Sequence, residues 1–468
     1  MKYYNFKLMI LCCCFAFSAI QSYAQSSQDT SLTKKLDELI KQRLSSVGPG
    51  GVVLVAQKGQ IIYKKAFGIS DLQSQKTMQA DMVFRIGSMT KQYTAIAILQ
   101  LAEQGKISLR DTIQKYVKEF PSRGYPITIE NLLTQTSGIP DYMAIQNHNP
   151  RKERDEYTPA QGVDYFKDEP LKFKPGSKFE YSNSNFYLLG YIIELVTGQT
   201  YESYIKKHLF EPAELQHTGY LDKRITIKNM ASGYSRPDGK NWEPAELQDP
   251  TLMYAAGGIT ANAEDLFKWH QALYSGKLIS LKTLQNACIP YTFPDNSFSE
   301  YGYGWFIKNL DGSKTIEHSG STDGYQTDEI YLPDEDIFVT ALFNGFEQDM
   351  DFIILTNDIA RLATNKPLLH EFKLATDSLS KFAGTYVYNK EHQMVVTFKD
   401  DQLFVEASNP KDRLPLVKLY AKSSSRFYIK EAPLEFEFTL TTSHQFKLIT
   451  YNTHGKDAEW RKLNSPKK

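Results

Sequence analysis

Apolar positions along the chain follow two rhythms, which exchange near residue 376. From Thr33 onward Leu36, Leu39, Ile40, Leu44 and Val47 recur at helical spacing until Gly48-Pro49-Gly50-Gly51 breaks the pattern. Residues 52–56 and 61–67 then read as a hairpin turning at Lys58-Gly59. Behind Ser88, the residues Met89, Tyr93, Ile96, Ile98, Leu99 and Leu101 leave no consistently polar face, which predicts a helix buried on most sides and ending near Gly105. From about residue 107 to 274, short helical patterns alternate with loops rich in Pro, Gly and charge. Two of these loops, 147–156 and 235–250, have the length of site walls. Strands are predicted at 302–307, 315–318, 326–332 and 337–343, and a closing helix at 352–362. The order helix, strands, helices, strands, helix suits one α/β unit completed from both of its ends.

After about Thr376 the rhythm changes to alternation with a period of two, clearest where Leu434, Phe436, Phe438 and Leu440 interleave with Glu435, Glu437 and Thr439. About eight short strands with a turn at Asp400-Asp401 and another at Thr442-Ser443 suit a small all-β barrel. A length of 468 residues is compatible with such a division. The predicted units are a leader at 1–24, an α/β unit at 25–370 and a barrel at 376–465.

The leader reading rests on Lys2 and Lys7, an apolar run over 8–20, and small residues flanking Tyr23 in Ser22-Tyr23-Ala24. A run of about 13 residues is short of the ~20 that span a bilayer, so a secretory signal cut after Ala24 is expected, with the protein exported to the periplasm or beyond and no stable membrane span after cleavage. Three of the four cysteines lie in that leader, leaving Cys288 without an internal disulfide partner. The 54 Lys and Arg residues balance 54 Asp and Glu, so no charge excess points to nucleic acid or to an anionic surface.

Three short segments carry the chemistry. Ser88-Met89-Thr90-Lys91 is one of six Ser-x-x-K tetrapeptides, the others starting at Ser31, Ser203, Ser378, Ser408 and Ser465, but it alone opens a buried helix. Three residues are about one helical turn, so Ser88 Oγ and Lys91 Nζ project from the same face. A serine hydroxyl is a weak nucleophile, and Lys91 activates it as a base only when burial has made its amine neutral. Tyr181-Ser182-Asn183 precedes an apolar helix; Tyr181 is placed to shuttle the proton to the leaving group, and Asn183 to orient Lys91 and substrate. His318-Ser319-Gly320 ends a predicted strand. It is preferred over Lys174-Pro175-Gly176 and His217-Thr218-Gly219 because Gly320 would let a substrate backbone lie close beside His318. The Ser88 and Ser321 amides are then the expected oxyanion hole. The nine histidines form no H-x-x-x-H or H-x-H pair, so no metal is expected in the site.

With Phe84-Arg85-Ile86-Gly87-Ser88-Met89-Thr90-Lys91, the segment from Leu132 through Thr136-Ser137-Gly138 to Pro140, Tyr181-Ser182-Asn183 and His318-Ser319-Gly320, residues 30–365 resemble the serine β-lactamase and penicillin-binding-protein family, especially its class C and esterase branch. That resemblance implies an α/β (α+β) fold: an antiparallel sheet flanked by helices, a helical subdomain, and the site between them. It implies no cofactor. The tail resembles the lipocalin-like domain appended to such hydrolases. Family members that hydrolyse β-lactams or trim peptides usually carry Lys where His318 stands, and a His gives a carboxylate a weaker anchor. An acyl-enzyme on Ser88 formed from an ester, an amide or a D-amino-acid peptide, the last from peptidoglycan, is therefore expected. The alternatives are a penicillin-binding protein with little turnover and a true class C-like β-lactamase.

Overall fold

The computed structural model describes residues 31–463 apart from 45, 146–155, 223–225, 238–239, 247–248, 346–350, 369–373, 375, 390–391, 409–413, 422–424, 430–433, 442–444 and 453–454. The predicted leader, nearly all of the 147–156 loop and the Thr442-Ser443 turn lie outside the described residues.

The first unit is built on a six-stranded antiparallel sheet. Its strands are β1 Gly51–Gln57, β2 Gln60–Phe67, β3 Phe306–Leu310, β4 Ser313–Thr322, β5 Tyr325–Leu332 and β6 Ile337–Phe343, in the order β3-β4-β5-β6-β1-β2. The β1–β6 register, with Val52 opposite Leu342 and Val55 opposite Val339, joins the two ends of the unit at its centre. Strands covered on both faces are apolar throughout rather than alternating, and every residue of β6 is buried. Val52, Leu54 and Leu342 face the core that holds the buried helix α2, Thr90–Glu103. Val53, Val55, Val339 and Phe343 face a second core beneath the helix at 31–43 (α1) and the closing helix α6, Asp351–Ala363. Between the two halves of the sheet the chain forms the helical subdomain, in which α3 (Asn183–Thr197) and α4 (Pro250–Gly257) pack against α2, with α5 (Ala263–Tyr274) on β6.

Two predicted strands differ in extent. The strand at 302–307 starts only at Phe306, because Gly304, at φ +89°, turns the chain over the first turn of α2, where an added Cβ would sit 3.1 Å from the Lys91 carbonyl oxygen. The strand at 315–318 does not end at His318 but runs to Thr322, with Gly320 paired opposite Thr327.

The tail is a closed antiparallel barrel of eight strands, β7 Gly384–Val387 through β14 Gly455–Lys462, sealed by Tyr386 pairing with Lys462 and Val387 with Arg461. Alternation puts Tyr386, Val405, Phe427, Phe436, Phe438 and Leu448 inward, all at most 1% exposed, so these side chains pack the interior as a core.

Candidate active site

Ser88 lies in a tight 3-10 turn, Gly87–Met89, immediately before α2. Gly87 has φ +51°, and a Cβ there would sit 3.0 Å from the Ser321 backbone nitrogen, so the turn rests directly on β4. Ser88 and Ser321 share one wall of a cavity of about 430 Å³ that Asn183, Tyr142, Met253 and Arg236 also line. The Arg236 guanidinium stacks on Trp242 at 5.1 Å and donates from Nη2 to the Lys240 carbonyl.

One turn on, Lys91 is wholly buried, and its Nζ lies within hydrogen-bond distance of three oxygens: Ser88 Oγ at 3.0 Å, Asn183 Oδ1 at 2.8 Å and the Ala256 carbonyl at 2.9 Å. Burial brings its pKa down to about 7, with the negative charge of Asp141 opposing the fall. The Ala256 carbonyl is aimed by a kink in α4. Tyr254 there has φ 38° and ψ −129°, a conformation costing roughly 1–3 kcal/mol, and its hydroxyl is tied to Glu194 Oε1 at 2.6 Å. The kink also directs the Ala255 carbonyl to Thr94 Oγ1 at 2.7 Å, so two successive carbonyls of α4 dock on α2.

Tyr181 stands with its ring 4.9 Å from Lys91 Nζ and its hydroxyl hydrogen-bonded to Ser88. Burial raises the phenol well above its usual range, keeping it protonated. The Leu132–Pro140 segment holds this motif in place. Gln135, at φ +59°, accepts the Ser182 N–H with Oε1 at 3.0 Å and the Glu180 N–H with its carbonyl at 3.0 Å. Asn183 begins α3, and its Nδ2 donates to Asp141 Oδ2 at 3.0 Å. Asp141 was not singled out in the sequence; the accessible signal is its place before Tyr142-Met143-Ala144, a 3-10 turn that it caps by accepting the Met143 N–H.

Two residues predicted to meet substrate are packed against the protein itself. His318 is 2% exposed and lies behind Tyr181 among the rings of Tyr301 and Phe306. Its Nδ1–H donates to the Ser319 carbonyl at 2.7 Å, and its Nε2 accepts the Tyr301 hydroxyl at 3.1 Å, so both ring nitrogens are engaged inside the protein. Burial lowers its pKa to about 3, and the imidazole stays neutral across the physiological range. Gly320 is small because of the protein's own packing: an added Cβ would meet the Ile86 carbonyl at 1.9 Å. The close neighbour is the chain's own Ile86–Ser88 turn, which Thr327 Oγ1 also holds by donating to Ile86 O at 3.0 Å.

The arrangement unites Ser88, Lys91, Tyr181 and Asn183 around one hydroxyl, with the Ser321 backbone alongside, on a sheet flanked by helices. The family model described as Beta-lactamase matches residues 36–364. The chain belongs to the β-lactamase family. Among its relatives, penicillin-binding protein 4* of Bacillus subtilis is 28% identical over 429 residues, spanning 86% of this chain and 92% of that one. The putative penicillin-binding protein PbpX of the same species is 33% identical over 284 residues, 61% of this chain and 68% of its own. Of solved structures, the octameric penicillin-binding protein homologue from Pyrococcus abyssi superposes with a TM-score of 0.63 at 24% identity, covering 93% of this chain and 99% of that one. A D-amino acid amidase from Ochrobactrum anthropi gives 0.61 at 21% identity, covering 72% and 99%. As a member of the β-lactamase family with these neighbours, the protein is a hydrolase of the β-lactamase and penicillin-binding-protein type.

Proposed function

We propose that this protein is an exported serine hydrolase that forms an acyl-enzyme on Ser88 from an ester, an amide or a D-amino-acid peptide. The observation that carries the reading is the buried Lys91 amine, 3.0 Å from Ser88 Oγ, with a pKa near 7. A base works best when its pKa lies near the working pH, and Lys91 meets that condition where the high-pKa Tyr181 phenol does not. Lys91 takes the Ser88 proton as Oγ attacks the carbonyl carbon. The oxygen of the tetrahedral intermediate turns to the Ser88 and Ser321 N–H groups. Collapse breaks the bond to the leaving group, which receives its proton through the neutral Tyr181 hydroxyl. Water then attacks the ester on Ser88 by the same route and releases the acid.

A neutral His318 supplies no cation from β4 for a substrate carboxylate, which favours uncharged esters and amides over nitrocefin. The penicillin-binding names of the relatives support a second reading, acylation with little turnover. One experiment separates the two. The purified protein is treated with a fluorophosphonate probe and then, at about pH 7.5, with p-nitrophenyl esters, D-amino-acid amides, D-Ala-D-Ala peptides and nitrocefin. Labelling of Ser88 with steady turnover of an ester or amide is expected. A single burst that stops at one equivalent would establish the binding-protein reading, and labelling elsewhere would remove Ser88 from the mechanism.

A further inference from the structure

We propose that Asp141 is a positioning residue of the hydrolytic site, holding the Asn183 carboxamide with its oxygen turned to Lys91. The inference rests on the roles proposed for Ser88 and Lys91 and adds the element that fixes the direction of the Lys91 lone pair.

The two oxygens of Asp141 have separate partners. Oδ1 accepts the Met143 N–H at 3.0 Å, closing the turn that puts Tyr142 and Met143 on the cavity wall. Oδ2 accepts from Asn183 Nδ2 at 3.0 Å, across 42 residues of chain. With its NH2 group committed to a carboxylate, Asn183 presents Oδ1 to Lys91 Nζ, at 2.8 Å. A neutral lysine amine has two hydrogens and one lone pair. Asn183 Oδ1 and the Ala256 carbonyl accept the two hydrogens, so the lone pair is left facing Ser88 Oγ, where the base must act. A flipped Asn183 would offer an N–H to that same lone pair and compete with the Ser88 hydroxyl.

The carboxylate cannot be replaced by an amide in this arrangement. An asparagine in place of Asp141 could still cap the turn with its oxygen, but its NH2 group would then face the Asn183 NH2 group, donor against donor, and would favour the flip. The Asp141 charge also favours the ammonium form of Lys91, opposing burial, so its removal should lower the pH at which the base becomes neutral.

The exchange of the two side chains tests this. Wild type, Asp141→Asn and the double variant Asp141→Asn/Asn183→Asp are compared as full-length proteins by fluorophosphonate acylation rate, ester kcat and KM, and pH profile. Asp141→Asn should keep a wild-type melting temperature. It should lose about tenfold in kcat with a smaller change in KM, the scale of a lost charge-assisted hydrogen bond, and its acid limb should move to lower pH. In the double variant the carboxamide and the carboxylate have traded places: the amide donates to the carboxylate from the turn before Tyr142, and the other carboxylate oxygen, now at the start of α3, accepts from Lys91. Activity should recover above that of Asp141→Asn at high pH, with the acid limb moved to higher pH because the carboxylate now touches the amine. A wild-type kcat and acid limb in Asp141→Asn, or a double variant no better than it at any pH, would overturn the proposal. Failure of wild-type Ser88 to acylate would instead overturn the Ser–Lys reading, and that result is visible before either variant is compared.

Discussion

His318 and Glu329 are cross-strand partners on β4 and β5, facing the same side of the sheet, yet each is turned to a different partner, and burial favours the neutral form of each. His318 binds Tyr301, whereas Glu329 Oε1 accepts from Gln92 Nε2 at 2.7 Å, and Gln92 Oε1 in turn accepts from Trp269 Nε1 at 3.2 Å. Burial moves the two groups in opposite directions, lowering the imidazole from 6.5 to about 3 and raising the carboxyl from 4.5 to about 7.

The consequences for stability have opposite signs. Below pH 6.5 the unfolded chain protonates His318 while the folded protein does not until about 3, so stability falls as the pH falls through that window. Between 4.5 and about 7 the unfolded chain ionises Glu329 while the folded protein keeps it protonated, so stability falls as the pH rises through that window. Each slope is at most roughly 1.4 kcal/mol per pH unit. Urea denaturation at several pH values should show His318→Gln flattening the loss of stability toward acid and Glu329→Gln flattening the loss of stability as the pH rises toward neutrality. An imidazole resonance of His318 that titrates near 6.5 in the folded protein would contradict the burial argument.

Acylation should follow the neutral fraction of Lys91. Its folded pKa lies near 7, so the rate should climb from about pH 6 to about pH 8 and then level. Lys91→Arg fixes the charge and should reduce the acylation rate by about 10³-fold, within the range for loss of a general base, while leaving the fold able to bind an uncharged ester. A flat profile over that range would show that another group takes the Ser88 proton.

Gly320→Ala should be as damaging as a change at the nucleophile, although Gly320 is not itself among the residues that line the cavity. Its Cβ would have to displace the Ile86 carbonyl, a backbone atom 1.9 Å away, and with it the turn that carries the Ser88 amide. Overpacking of this kind costs roughly 1–3 kcal/mol, and a displaced oxyanion donor about 10²–10³ in kcat. Differential scanning fluorimetry and ester turnover read the two effects separately. Full activity in a stable Gly320→Ala protein would refute the close approach.

Ser88, Lys91, Tyr181 and Asn183 were legible in the sequence because each lies in a short motif whose residue types the chemistry demands, and because α2 has no consistently polar face. The centre of the sheet was legible for a related reason: β1 and β6 are largely apolar runs too short for helices. Asp141 and the Ala256 carbonyl were not, since one acts across 42 residues and the other is a backbone atom aimed by the strained Tyr254, neither of which leaves a side-chain pattern. His318 and Gly320 were found, but their packing against the protein's own Tyr301 and Ile86 was not. A residue pressed against the chain's own backbone and one pressed against a substrate ask for the same small or neutral side chain, and only the packing of Ile86 and Tyr301 distinguishes them.

The barrel is expected to contribute stability and not chemistry. Its core, with Phe427, Phe436 and Phe438 at its centre, is separate from both cores of the first unit. Tyr428 feels the charges of Asp358, Arg43 and Arg361, which places its strand by α1 and α6, on the sheet face opposite to Ser88; Glu435 is likewise near Glu300 and not the cavity. A chain ending near residue 372 should therefore retain acylation of Ser88 and ester turnover within a few-fold of the full protein, while melting at a lower temperature as Tyr428 and its neighbours are removed from α6. The measurement is a comparison of fluorophosphonate labelling, kcat and thermal midpoint for the two lengths. A truncated protein that folds, by circular dichroism and a cooperative melt, but does not acylate would mean that the barrel completes the site.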